Sequence, residues 1–384
     1  MPQTHHPVER SEIRPLTGIR GIAALAVVVF HFFPAWLSLL PGLAPLSRMA
    51  MRGCYGVDLF FVLSGFIISY AYSAREIRSN MADYRRFIWF RFARIYPNHL
   101  ATLMLLVALV LGSHVFHYSV PYENYPWSGL PAQLTMTHVW PFAYGGRWNL
   151  PSWSISAEWF AYLAVFPVCQ LLLNRGWSTA RLLAVAYLVF GGYCVFRPFL
   201  LWLPFDRPTA LPNVAAEFIA GSMLYGVYRA GSPFLHFLQK HATALFILIL
   251  AVAALAPGQN PWIDRLVILT FPLLLASLSS EESLAGKMFS SALWVWLGNI
   301  SYAIYMSHSF AAQFFRFVAP EEKYLHAPLS MRLVLVAAHL AAVIAIAAAL
   351  YYAVEVPCRN WMRRLFIARQ KHTEARPLEP TGSR

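Results

Sequence analysis

The chain has 384 residues, of which 58% are hydrophobic and only 12% charged, with 30 Lys and Arg against 17 Asp and Glu. Soluble domains carry about 25% charged residues, so this chain lacks the charge to cover a water-facing surface, and its long apolar runs exclude disorder. The formal charge of +13 sits in short Arg clusters rather than along one basic face, which excludes nucleic-acid binding and makes the excess a topology signal.

A bilayer core about 30 Å thick takes about 20 apolar residues per helix. Ten such windows occur, at about 16–40, 54–73, 99–117, 151–174, 182–203, 213–229, 243–256, 265–280, 293–315 and 332–355. The predicted fold class is therefore an all-α integral membrane protein with about ten transmembrane helices. Pro257, Pro261 and Pro272 make the seventh and eighth windows the least regular. Ten spans put both termini on one side. If that side is the cytosol it receives 21 Lys and Arg and the outer side 9, so both termini are expected to be cytosolic. The first window is too long for a cleavable signal peptide. Cys54, Cys169, Cys194 and Cys358 match neither a CxxC pair nor a zinc spacing, and neither a structural disulfide nor a metal is expected.

Charge inside a span is costly and usually faces the bundle interior, so each such residue is a candidate site residue. Arg20 and His31 stand eleven residues apart. They return to one face of the first helix and are separated by roughly 16 Å along it. This suits a long ligand with an anionic end at Arg20 and a reacting end at His31; it equally suits a snorkelling Arg and a His bonded to a neighbouring helix. Asp58, in GVDLFFVLSGF (56–66), reaches the depth of His31 if the first two helices are antiparallel neighbours. A carboxylate there orients an imidazole or caps the second helix.

The cytosolic connection before the third span carries Arg91 and Arg94 on one helix face. Their guanidinium forks match the oxygens of a phosphate, whether of a cofactor or of an anionic lipid headgroup. The outer loop 118–150 is rich in Tyr, Trp and Pro and reads as an interfacial lid. Glu158 stands about two turns into the fourth span. Glu217 and His339, in spans six and ten, read as satisfied packing residues. His308 shares a helix face with Ser301 in GNISYAIYMSH (298–308), and Glu355 precedes Pro357 at the end of span ten. No GxSxG, Walker loop or HExxH occurs, which removes the hydrolase and ATPase readings. A membrane-embedded group-transfer enzyme and a proton- or solute-coupled transporter remain.

Taken together, these stretches resemble the acyltransferase 3 family of bacterial integral-membrane acyltransferases over about residues 14–362. Arg20-x10-His31, GVDLFFVLSGF, Arg91-x2-Arg94, the segment from Trp153-Ser154 to Glu158, GNISYAIYMSH and Glu355-x-Pro357 are similar to the family's signatures, in the same order. Thr17 departs from the pattern, since relatives often carry Asp in the segment before Gly18. The resemblance implies a transmembrane acyltransferase domain at 16–362 between a cytosolic N-terminal tail, 1–15, and a basic cytosolic C-terminal tail, 363–384. The SGNH-type esterase domain of some relatives is not expected. It further implies transfer of an acyl group, most often acetyl from acetyl-CoA, in the bacterial cytoplasmic (inner) membrane. The acceptor would be a hydroxyl of a cell-surface or exported polysaccharide or its lipid-linked precursor; some relatives modify small molecules such as macrolides instead. On this reading Arg91 and Arg94, with Arg20 as a third contact, hold the phosphates of cytosolic acyl-CoA. His31 is the general base, assisted by Asp58 or Glu158, while His308 and Glu355 are lower-ranked members of the site. The acceptor would lie under the aromatic loop of 118–150.

Overall fold

The computed structural model describes residues 11–72, 81–116, 120, 122–141, 148–200, 209–257 and 260–374, and every regular element among them is helical. Six stretches are long and apolar enough to cross a bilayer: Arg14–Leu39, Pro41–Ala71, Met81–Val115, Leu150–Leu173, Thr179–Leu200 and Leu329–Gln370. They contain α1 (Arg14–Leu39), α2 (Gly56–Ala71), α3 (Met81–Val115), α4 (Trp153–Phe160), α5 (Thr179–Leu200) and, further on, α12 (Leu329–Leu350) and α13 (Val356–Glu374). The pair α7 (Pro233–Lys240) and α8 (Ala242–Leu255), bent by 63°, is a seventh candidate span. The chain is thus an all-α membrane protein. Two more helices, α6 (Ala210–Ala230) and α11 (Ala292–Val318), have the length, about 32 and 40 Å at 1.5 Å per residue. Polar residues such as Glu217 and His308 keep them below the same apolarity.

Two expectations change. The window at 265–280 is not one helix: the chain breaks at Thr270 between α9 (Pro261–Leu269) and α10 (Phe271–Ser277). Pro272 supplies no backbone donor to a continuing helix but fits the first turn of a new one. The segment 81–98 is not a connection either, because it forms the first half of the 35-residue α3. Trp89 on this half donates to the Met362 carbonyl at 2.9 Å, fastening α3 along α13. The chain also stays helical past 362, to Glu374.

Glycines decide how the central helices meet. A Cβ on Gly221 of α6 would run into the Val62 carbonyl of α2, and one on Gly65 into the Phe218 carbonyl. Backbones therefore touch at this crossing, the close approach that small residues permit between membrane helices. Gly298 does the same for α11 against Thr17 of α1. Asp58 lies one turn from Val62 and Glu217 one turn from Gly221, so the first crossing turns the two carboxyl groups toward each other.

Candidate active site

Two cavities lie end to end in the bundle, and Val57 and Tyr305 line both of them. One, called the inner chamber after the expected topology, spans about 790 Å³ including its open mouth and is lined by Arg20, Arg91, Arg94, Ser64, Glu158 and Tyr162 among others. The outer one holds about 1200 Å³, and its polar lining includes His31, Asp58, Asn213, Glu217, Arg197 and Arg265.

The inner chamber is a held array of cations. Arg94 pairs with Glu355, a fully buried carboxylate that also accepts from Asn98 Nδ2 at 3.2 Å and lies 3.8 Å from Arg359. The Arg94 guanidinium rests over the Tyr302 ring, with 5.5 Å to its centroid. Arg91 donates to the Tyr72 hydroxyl at 3.4 Å, and its Nε reaches no partner among the described residues. Glu158 accepts from Ser64 Oγ at 2.6 Å and from the Tyr162 hydroxyl at 2.5 Å. Glu158 lies just before one π-turn, Ala161–Val165, and Glu355 is the last residue of another, Tyr351–Glu355, local widenings of a helix that concentrate at functional sites. With three guanidinium groups on its wall and donors left over, this chamber fits a phosphate-bearing ligand.

On the wall of the outer chamber His31 stacks on His308, which lies behind it and lines neither chamber, with 4.9 Å between ring centroids and 29° between planes. His308 is buried, and its Nδ1 donates to the Tyr305 carbonyl at 2.6 Å. That bond assigns the proton of a neutral ring to Nδ1 and leaves the lone pair on Nε2, which meets no partner among the described residues. Tyr305 donates its own hydroxyl to the Pro151 carbonyl at 3.0 Å. The residue that separates the chambers is thus fastened to α4's entry and orients His308.

The expected pairings of His31 are not the observed ones. Asp58 lies in the same chamber but bonds to Asn213, at 3.4 Å. Equal depth was the correct part of the inference; the crossing of α2 on α6 then turned Asp58 toward α6. Glu158 faces the inner chamber and its arginines, so it does not assist His31. Glu355 lines neither chamber and acts by holding Arg94. The described part of the 118–150 loop is fastened to the helices around it, His99 to the Gln133 carbonyl at 2.9 Å, Trp140 to the Ser156 carbonyl at 3.0 Å and Asn149 to the Met306 carbonyl at 3.1 Å, and only Leu150 of it reaches the outer chamber.

His339 is a packing residue, accepting from Trp36 Nε1 at 3.1 Å. Glu217 is not, although both were read alike. A carboxylate in an apolar span was the signal for it, and only the neighbouring Asp58 distinguishes it from a packing Glu. Arg197 and Asn213 gave no comparable signal, lying near the ends of their helices, and neither did Arg265, in the middle of the nine-residue α9.

A polytopic α-helical membrane protein whose cationic inner chamber abuts an imidazole-bearing outer one has the layout of a membrane-embedded group-transfer enzyme. The acyltransferase 3 family model, an acyltransferase domain, matches residues 14–352, and the chain belongs to this family. It is similar to Acyltransferase MdmB of Streptomyces mycarofaciens, 29% identical over 76% of this chain and 77% of that protein. It is also 23% identical to Peptidoglycan O-acetyltransferase OatA of Listeria monocytogenes, over 78% of this chain. The match spans about half of the length of OatA, 49%. No solved structure matches the chain.

Proposed function

We propose that the protein moves an acyl group, acetyl in the simplest case, from cytosolic acyl-CoA to a hydroxyl presented in the outer chamber. The observation that carries this reading is the junction at Val57 and Tyr305, where a chamber suited to phosphates meets one that exposes an imidazole. In this proposal Arg20, Arg91 and Arg94 hold the CoA phosphates, and the thioester reaches the junction along α1. His31 takes the proton of the acceptor hydroxyl as its oxygen attacks the thioester carbonyl. The C–S bond breaks, the ester forms, and the thiolate recovers the proton, so donor and acceptor exchange one acyl group for one hydrogen. A base in this position contributes about 10² to 10⁴ in rate.

The topology that goes with it has ten spans, the eighth of them made of the two short helices that meet at Thr270, and cytosolic termini, supported by the 21 to 9 division of Lys and Arg and the positive-inside rule. The membrane is the bacterial inner membrane, and the acceptor is an exported or surface glycan or its lipid-linked precursor, a class supported by the likeness to a peptidoglycan O-acetyltransferase. The likeness to MdmB over about three quarters of both chains, 76% and 77%, supports a second acceptor class, a small hydroxylated molecule, with the same chemistry. Proteoliposomes given labelled acetyl-CoA and envelope glycan are expected to transfer label, and His31→Ala to reduce the rate at least a hundredfold while CoA still binds. Transfer at the native rate by His31→Ala would remove the imidazole from the mechanism.

A further inference from the structure

Asp58 and Glu217 lie within hydrogen-bonding reach of one another on the wall of the outer chamber. Glu217 is fully buried, and neither of its carboxyl oxygens meets a donor among the described residues. Asp58 receives one long bond, from Asn213. A carboxyl group has at most one proton to donate, so a proton shared between the two satisfies a single contact, and their remaining lone pairs lack donors in a fold where buried polar groups are almost always satisfied.

The rest of the wall limits what that donor belongs to. Arg197 and Arg265 line the same chamber and offset whatever charge the carboxyl pair carries, which leaves no net negative charge to attract a cation. An acid placed against Asp58 and Glu217 would be repelled. Trp153 and Tyr193 add aromatic faces, which cover the C–H face of a ring while the carboxylates take its hydroxyl protons. Pockets of this kind are apolar surfaces with a few fixed polar groups that set orientation.

We propose that Asp58 and Glu217 form the acceptor-recognition pair, taking hydroxyl protons of a neutral, polyhydroxylated ring and so presenting another of its hydroxyls to His31. This rests on the reading of the outer chamber as the acceptor side. A site built to bond hydroxyls discriminates strongly against ligands that lack them or replace them with charge.

The test uses the full chain in lipid nanodiscs and three probes at equal concentration: methyl β-glucopyranoside, its 2-amino analogue and methyl glucuronide. Saturation-transfer NMR on the wild type is expected to give at least a fivefold larger signal for the neutral glycoside than for either charged one. A larger signal for the amine or the acid, or none for the neutral ring, overturns the proposal without any variant. Glu217→Gln keeps the volume and supplies a donor to Asp58, so it is expected to lower the neutral signal at least fivefold, as is Asp58→Asn. An undiminished signal in Glu217→Gln means the pair only shares a proton, and the proposal fails. CoA binding by the same variants reports their fold. If the wild type binds the glycoside through Glu217 but does not bind CoA, the donor part of the proposed function falls while this inference stands; CoA binding without glycoside binding gives the reverse.

Discussion

Around the inner chamber each carboxylate already has a protein partner: Glu158 on its wall accepts from Ser64 and Tyr162, and Glu355 behind the wall holds Arg94. In the outer chamber Glu217 has no donor among the described residues, and Asp58 has one long bond from Asn213. The contrast separates two ways of preparing a site. The first is a socket whose cations are positioned by the protein before any ligand arrives, which keeps donors fixed for phosphate at little ordering cost. The second is left unsatisfied, so that its last hydrogen bonds come with the ligand, and that is a means of selecting one.

The comparison breaks first at Glu355. Replacing it with Ala strands the half-buried Arg94 guanidinium, and since removing one partner of a fully buried pair costs about 3 to 5 kcal/mol, the expected cost here lies toward the lower figure. We expect a lower melting temperature together with weakened CoA binding, read in the same detergent-solubilised preparation; a lower melting temperature with native CoA affinity would limit Glu355 to the fold. Arg91→Gln removes one charged donor from the inner wall, about 2 kcal/mol, and is expected to raise the CoA dissociation constant roughly thirtyfold. Native affinity there would assign Arg91 to lipid headgroups. His308→Phe keeps a ring under His31 but removes the orphaned nitrogen, and a stacked pair is worth about 1 kcal/mol. Transfer should then fall by no more than several-fold. A loss as large as that of His31→Ala would make His308 a participant in proton movement rather than a support.

Much of the frame was legible beforehand because hydrophobic windows and their flanking charge are local properties of the chain. Arg20 and His31 share a helix face as their spacing predicted, and the structure lets them serve successive chambers. The break at Thr270 was less legible, since Pro272 is compatible with a kinked span as well as with two short helices. The identity of His31's neighbour was not legible at all. Asp58 and Glu158 both stood within a plausible distance by depth, yet His308, a residue of lower rank, holds the position. Depth follows from counting residues along a helix, but direction around the helix axis follows from what the helix packs against.

The sequence by itself determined a membrane-spanning helical chain, the run of intramembrane charges and the family to which they belong, because hydropathy and motif order survive without knowledge of contacts. Tertiary structure alone decided that the polar residues form two chambers instead of one file, that His31 faces His308, and that Asp58 faces Glu217. The physical reason is the set of glycine contacts at Gly65, Gly221 and Gly298, where helix backbones meet directly and so fix the rotation of every side chain nearby.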